Sequence, residues 1–150
     1  MYDAMDIAEY VLWYCDSVLK KPITNLKLQK FLYYMQGANM VMNNAPLFDN
    51  SIEAWKYGPV VPDVYYWYND NLGSPIMGVE RRNINFYLEE AEVIESVIKT
   101  LIDVDVWHIV NETHKDAPWL EHKDTSGEIP VRDINNWFTD NWGIIWNAYQ

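Results

Sequence analysis

The sequence has 150 residues, the size of one compact domain that can bury a hydrophobic core without disulfide or metal support. Its 22 acidic and 11 basic residues give a formal net charge of -11, which argues against nucleic acid as a partner because a phosphate backbone would be repelled. The single cysteine excludes an intramolecular disulfide and a thiolate zinc cluster. The N-terminus lacks the features of a secretory signal, and no uncharged stretch is apolar enough for a membrane span, so we expect a cytoplasmic protein.

Two amphipathic helices are predicted in the N-terminal third of the chain. Apolar residues spaced three and four apart over residues 4–19 predict a first helix that ends before Pro22. A second helix is expected to begin with Thr24 or Asn25 as its N-cap and to end before Pro46. The apolar stripe of this second helix consists of Leu28, Phe31, Leu32, Met35, Ala38 and Met42.

The middle of the chain predicts a short extended insertion and then a third helix. Proline, glycine and asparagine interrupt residues 46–61, and the run 52–57 contains β-prone residues, so we expect a loop with one or two short extended segments. Pro62 suits the first position of a helix, and Gly73 is suited to end it. Residues 73–85 then form a linking loop.

Several further helices are predicted in the C-terminal half. A fourth helix runs over residues 88–101, and a fifth begins near Asp103 or Asp105, either of which can cap its first turn. Pro118 and Pro130 each predict the first turn of another helix. The inward positions predicted for the fourth helix are Leu88, Ala91, Ile94, Val97, Ile98 and Leu101.

Together these elements predict a mainly α protein. We expect a compact single-domain helical fold of about six or seven helices, with a small extended, β-like insertion around residues 46–61. The chain has no internal repeat and no low-complexity tract, so residues 1–150 are expected to form one domain.

The sequence contains no recognisable motif for catalysis or for metal binding. His108, His114 and His122 lie within fifteen positions, but none of them is four residues from another, as a helical zinc pair requires. Cys15 lies on the apolar stripe of the first helix, which predicts a buried and unreactive thiol. Phosphate-binding glycine loops and a serine nucleophile elbow are also missing. We therefore expect no catalytic residue, no cofactor and no metal. A glycosidase-like pair of catalytic carboxylates stays open as an alternative, because such a pair is matched in space and not in sequence.

The acidic residues are concentrated in the second half of the chain. Residues 1–87 carry a net charge of about -2, whereas residues 88–150 carry about -9. One interpretation is a solvated helix surface that keeps the protein soluble. The other is an electronegative face that steers association with a basic partner.

Aromatic residues are densest between positions 55 and 68, around the turn at Gly58 and Pro59. Consecutive helical residues lie about 100° apart, so the run Tyr65–Tyr68 must direct some of its rings away from the core. These rings either form a second packed layer or make a protein-binding patch, for which tryptophan and tyrosine are favoured anchors.

Three segments in order resemble the Panacea-domain antitoxin family, which includes SocA-like and phage-associated GepA-like proteins. The first is LKLQKFLYYMQG over residues 26–37, and the second is PLFDNSIEAWKYGPVVPDVY over residues 46–65. The third is THKDAPW over residues 113–119, followed after a loop by GEIPVRDINNWF over residues 127–138. Their order and spacing cover nearly the whole chain.

This resemblance implies an antitoxin that is encoded beside a toxin and neutralises it by direct binding, without catalysing a reaction. Members of the family are paired with unrelated toxins, including alarmone-synthetase-like enzymes, and a SocA-like member is an adaptor that delivers its toxin to a protease. Two binding alternatives stay open, which are direct neutralisation of the toxin and its delivery to a protease by an adaptor. A third alternative, from a different class, is a small hydrolytic enzyme that uses the histidines and acidic residues. The expected partner-binding residues are Trp55, Lys56, Tyr57, Pro59, Val60, Tyr65, Tyr66 and Trp119.

Overall fold

The computed structural model describes residues 1–71 and 73–150, and it is mainly helical with one two-stranded sheet, which confirms the predicted fold class. A compact core of buried side chains runs through the described residues. None of the helices in this part of the chain has the length and apolar character needed to cross a membrane. The helices are α1 Ala4–Trp13, α2 Asn25–Asn43, α3 Pro62–Trp67, α4 Leu88–Leu101, α5 Val106–Thr113, α6 Ala117–Leu120, α7 Val131–Asp140 and α8 Trp142–Asn147.

Helix α2 lies at the centre of the domain. All residues from Leu28 to Met40 are buried, and α1, α4, α5 and α7 pack around the helix. The side chain of Thr24 caps it by accepting a hydrogen bond from the amide of Lys27. The sequence predicted only one buried face. The prediction for Met42 was wrong, because the last turn of α2 leaves the core and exposes this side chain.

Helix α1 continues into a π-helical turn over Tyr14–Val18, so the first helical segment spans nearly the predicted range. Cys15 lies in this turn and is fully buried, as predicted. Burial raises the pKa of its thiol to about 12, because the apolar surroundings disfavour the thiolate. The thiol is therefore unreactive at neutral pH.

The bounds predicted for α4 are confirmed, with one error in its inward face. Ile94, Val97, Ile98 and Leu101 are buried, but Leu88 is exposed because the first turn of α4 extends beyond the core. Val93 is buried in addition.

Capping residues explain where the later helices begin. The Asp105 side chain caps α5 by accepting a hydrogen bond from the amide of Trp107. Pro118 lies in the first turn of α6, as predicted, whereas Pro130 immediately precedes α7. Helix α8 was not predicted as a separate element; it begins directly after Asn141, which ends α7.

The extended insertion is an antiparallel hairpin of β1 Glu53–Trp55 and β2 Gly58–Val60. Its register pairs Glu53 with Val60, Ala54 with Pro59 and Trp55 with Gly58. The loop before α7 joins the free edge of β1, since the amide of Ala54 donates to the carbonyl of Gly127 at 2.9 Å. The prediction of short extended segments between residues 46 and 61 is confirmed.

Gly37→Ala should destabilise the protein. A methyl group at this position would overlap with the Phe138 ring of α7, and overpacking of a core costs about 1–3 kcal/mol. Gly143→Ala is the matched control, because a methyl group there meets no atom within 4 Å. Urea unfolding should show a loss of stability for Gly37→Ala alone; equal stabilities for the two variants would contradict the observed packing of α2 on α7.

Candidate protein-binding site

Polar side chains of α2 bind the backbone that leads into the hairpin. The Gln36 side chain donates to the carbonyl of Phe48 at 2.8 Å and accepts hydrogen bonds from the amides of Leu47 and Phe48. One turn further along, Asn39 donates to the carbonyl of Ala45 at 2.8 Å. Because these side chains are buried, the bonds satisfy backbone groups that water cannot reach.

The hairpin itself is held in the same way by the first turns of α2. Gln29 accepts a hydrogen bond from the amide of Val61 at 2.8 Å and donates to Asn25 at 2.9 Å. Asn25 in turn donates to the carbonyl of Tyr65 at 3.0 Å. The ammonium group of Lys30 donates to the carbonyl of Pro59 at 2.8 Å. The backbone of β2 and α3 is therefore fixed to α2.

Lys30 is completely buried beneath Gly58. Burial lowers the pKa of its ammonium group to about 7, because the interior disfavours the charged form. Gly58 has a φ of +109°, and a methyl group there would come within 2.6 Å of the Thr113 hydroxyl and 2.8 Å of Lys30 Cε. Only glycine fits this conformation and this close approach of the turn to α2 and α5.

Helices α5 and α6 hold the hairpin turn from the other side. The indole Nε1 of Trp119 donates to the carbonyl of Trp55 at 2.7 Å, and Nε2 of His114 lies 3.0 Å from the carbonyl of Lys56. The two rings stack on each other at 4.1 Å between centroids. Burial lowers the pKa of His114, which favours its neutral form.

Asp116 is a buried acidic residue between α5 and α6, beneath their contacts with the hairpin turn. It accepts a hydrogen bond from the Tyr33 hydroxyl of α2 at 2.8 Å. Burial raises its pKa to about 7, since the loss of water penalises the carboxylate more than the hydroxyl stabilises it. This contact links the α5–α6 connection directly to the central helix.

An aromatic groove opens at the surface beside this fixed hairpin. It has a volume of about 470 Å³, and a cleft of this size can receive side chains of a partner. Tyr57 and Trp107 meet edge to face at 5.4 Å and are 45% and 50% exposed. Trp55 and Tyr65 meet edge to face at 5.0 Å. The residues that line the groove are Asn25, Leu26, Trp55, Lys56, Tyr57, Val60, Tyr65, Tyr68, Asn69, Gly73 and Trp107.

The structure brings five of the expected partner-binding residues together at this surface. Lys56, Tyr57 and Tyr66 are exposed, while Trp55 and Tyr65 are half-buried. The Trp55 ring contacts both tyrosines of α3, at 5.0 Å for Tyr65 and 5.7 Å for Tyr66. Their role in binding a partner stays a prediction.

Three other expected contact residues are buried. Pro59 and Val60 lie in β2 against α2, and the Trp119 ring belongs to the core cluster. Their side chains are therefore placed to support the hairpin, although Val60 also forms part of the groove floor. Pro59 and Trp119 lie beneath the surface, and their role in binding a partner stays a prediction.

Sequence reasoning missed Trp107 and the buried polar residues of α2. Trp107 was placed only within a short amphipathic helix, and its contact with Tyr57 joins residues fifty positions apart. Gln29 and Lys30 lie outside the apolar stripe predicted for α2, but both are fully buried. The absence of charged residues from Phe31 to Phe48 was an available signal for burial of the later turns of α2, because a helix without a charged face is typically buried all round. Lys30 precedes this stretch, so its burial had no such signal.

The three histidines have separate contacts. His108 Nε2 lies 3.0 Å from the carbonyl of Ala148, and His114 contacts the hairpin as described. His122 Nε2 lies 3.3 Å from Asp133 Oδ2. Within the described residues, candidate metal-ligand atoms of three side chains lie within 4.8 Å of one another; these side chains are Glu121, His122 and Asp133.

Comparisons with known proteins identify relatives of this chain. A family model described as "Antitoxin SocA-like, Panacea domain" matches residues 28–120. The protein "Antitoxin SocA" of Caulobacter vibrioides (strain NA1000 / CB15N) is 46% identical over 55 residues, which cover 37% of this chain and 29% of that protein. The match therefore spans less than a third of that relative. No solved structure matches the chain.

Lys30→Met should remove a pH-dependent part of the stability. Above about pH 7 the folded chain has lost the Lys30 proton, while an unfolded lysine keeps its proton to about pH 10, so the free energy of unfolding rises with pH. The slope approaches about 1.4 kcal/mol per pH unit. Urea unfolding between about pH 7 and pH 9 should show this rise in the wild type and a flatter profile in Lys30→Met. Parallel profiles would contradict a buried, neutralised Lys30.

Proposed function

Because this chain belongs to the Panacea-domain family of SocA-like antitoxins, we propose that it is an antitoxin that binds a cognate protein toxin directly and neutralises it without catalysing a reaction. The observation that supports this most strongly is the aromatic groove, in which exposed rings are carried by a hairpin fixed from two sides. A binding module needs such a surface and needs no catalytic group.

The chemistry of the groove suits a protein partner. Tryptophan and tyrosine are the side chains most often found as energetic anchors in protein interfaces. Here the rings of Tyr57 and Trp107 are half exposed and contact each other, so a partner can bury both at once. Lys56 and Asn69 are exposed and supply polar groups at the margin.

The support beneath the groove favours tight binding. Lys30 binds the backbone of β2, Gln29 binds the amide of Val61 directly after it, and Trp119 binds the carbonyl of Trp55. A surface that is ordered before association loses less conformational entropy on binding. The groove is therefore proposed to bind its partner with little rearrangement of the hairpin backbone.

The negative charge of the C-terminal half is proposed to attract the partner. Trp107 lies on α5, within the half of the chain that carries about nine excess negative charges. Contact between Tyr57 and Trp107 joins the aromatic hairpin to this acidic half. We propose that the toxin presents a basic surface, which the negative field attracts before the aromatic side chains engage.

Co-expression with the product of the adjacent gene tests the proposed role. The antitoxin should restore growth to cells that express that protein, and the two purified proteins should form a stable complex on size-exclusion chromatography. Absence of both rescue and complex would contradict the proposal. Rescue that requires a protease, without inhibition of the purified toxin, would show the adaptor alternative instead.

Tyr57→Ala and Trp107→Ala should each weaken toxin binding by at least about tenfold, since each removes a central aromatic anchor. Melting temperatures should change little, because both side chains are about half exposed at the surface. Tyr87→Ala is the matched control, since its exposed ring lies at the start of α4, outside the groove. Isothermal titration calorimetry measures the affinities. Equal affinity for Tyr57→Ala and Tyr87→Ala would exclude the groove as the interface.

A further inference from the structure

We infer that Glu121, His122 and Asp133 form a binding site for one divalent transition-metal ion, with Zn²⁺ as the reference ion. Glu121 and His122 directly follow α6, and Asp133 lies in the first turn of α7. One candidate ligand atom from each residue lies within 4.8 Å of the other two. An imidazole nitrogen together with carboxylate oxygens is a ligand set that zinc uses in proteins, whereas magnesium and calcium prefer oxygen alone.

The charges around these ligands favour a cation. Within the described residues, Glu121 has no ion pair, and Asp133 has only the His122 ring at 3.3 Å and the Arg132 guanidinium at 3.9 Å. Lys123, the nearest lysine in sequence, places its ammonium group over the Trp119 ring at 5.7 Å from the centroid. The two carboxylates therefore leave negative charge that an ion can neutralise.

Backbone hydrogen bonds position the ligands before any ion binds. The amide of Gly127 donates to the carbonyl of His122 at 3.2 Å, which closes the turn that follows α6. Glu128 forms an isolated bridge with Glu53, and the amide of Ile129 donates to the carbonyl of Ile52 at 2.7 Å. The loop between His122 and Asp133 is thus folded against the hairpin, so an ion would not have to order it.

The surroundings leave space for the rest of a coordination shell. The side chains of His122 and Asp133 are only 27% and 25% exposed, which strengthens their attraction to an ion relative to fully solvated groups. Two of the three ligands, Glu121 and Asp133, line a cleft of about 220 Å³ together with Asn136 and Asp140. Three protein ligands with open positions for water are typical of accessible zinc sites.

Spacing along the chain does not predict this site, because its ligands do not lie along one helix. Glu121 and His122 are adjacent, and Asp133 follows eleven residues after His122. Packing of α7 against α6 brings them together. An ion here would link the end of α6 to the start of α7, separate from the aromatic groove, and would not be required for toxin binding.

Calorimetric titration of the full chain with ZnCl₂, after removal of metals with EDTA and dialysis, tests the site. We expect one ion per chain, bound more tightly than Mg²⁺. His122→Ala and Asp133→Asn should each lower the Zn²⁺ affinity by more than about tenfold. His108→Ala, which removes an exposed histidine elsewhere, and Asp124→Asn, which removes a nearby exposed acid, should leave the affinity unchanged.

Circular dichroism of each metal-free variant separates loss of the site from loss of the fold. If His122→Ala does not fold, Glu121→Gln replaces it, because the Glu121 side chain is exposed. Absence of Zn²⁺ binding to the wild type would overturn the inference. So would unchanged affinity in the folded His122→Ala or Glu121→Gln variant, or equal loss in His108→Ala, which would indicate adventitious surface binding.

Discussion

Hydrogen bonds between polar side chains of α2 and the backbone of residues 45–65 determine the arrangement of this protein. As α2 advances from Asn25 to Asn39, the carbonyls and amides that it binds go back from Tyr65 to Ala45. The segment therefore lies antiparallel along a helix that is buried on all sides. A hairpin of two three-residue strands is too small to be stable alone, so it depends on these bonds. Breaking one would leave a buried polar group unpaired, at a cost of about 1–3 kcal/mol.

The three segments that resemble the Panacea domain supply the hairpin and the residues that hold it in place. The first supplies Gln29 and Lys30, the second is the hairpin with its turn at Gly58, and the third supplies Trp119, which binds the turn from outside. Their residues meet in space although they are far apart in the chain. The three segments thus share the role of holding one hairpin in place, and the groove beside this hairpin is the proposed binding surface.

Helices and their caps were predictable because their signals are local. The bounds of α4, the Asp105 cap of α5 and the burial of Cys15 follow from apolar spacing and from nearby capping residues. Local signals could not predict the contact of Tyr57 with Trp107 or the burial of Lys30, because each depends on packing between segments distant in sequence. Chain spacing likewise gave no sign that His122 would meet Asp133, since only tertiary packing places them together.

Amide hydrogen exchange of Gln29→Leu tests whether α2 holds the hairpin in place. We expect that the amide of Val61, which donates to Gln29, loses protection together with the hairpin amides that precede it. Amides in the middle of α4, which has no bond to Gln29, should keep their protection. Binding to the toxin should weaken in parallel with the loss at the hairpin. Unchanged protection of Val61, or an equal loss in the hairpin and in α4, would contradict the claim that α2 holds the hairpin through its polar side chains.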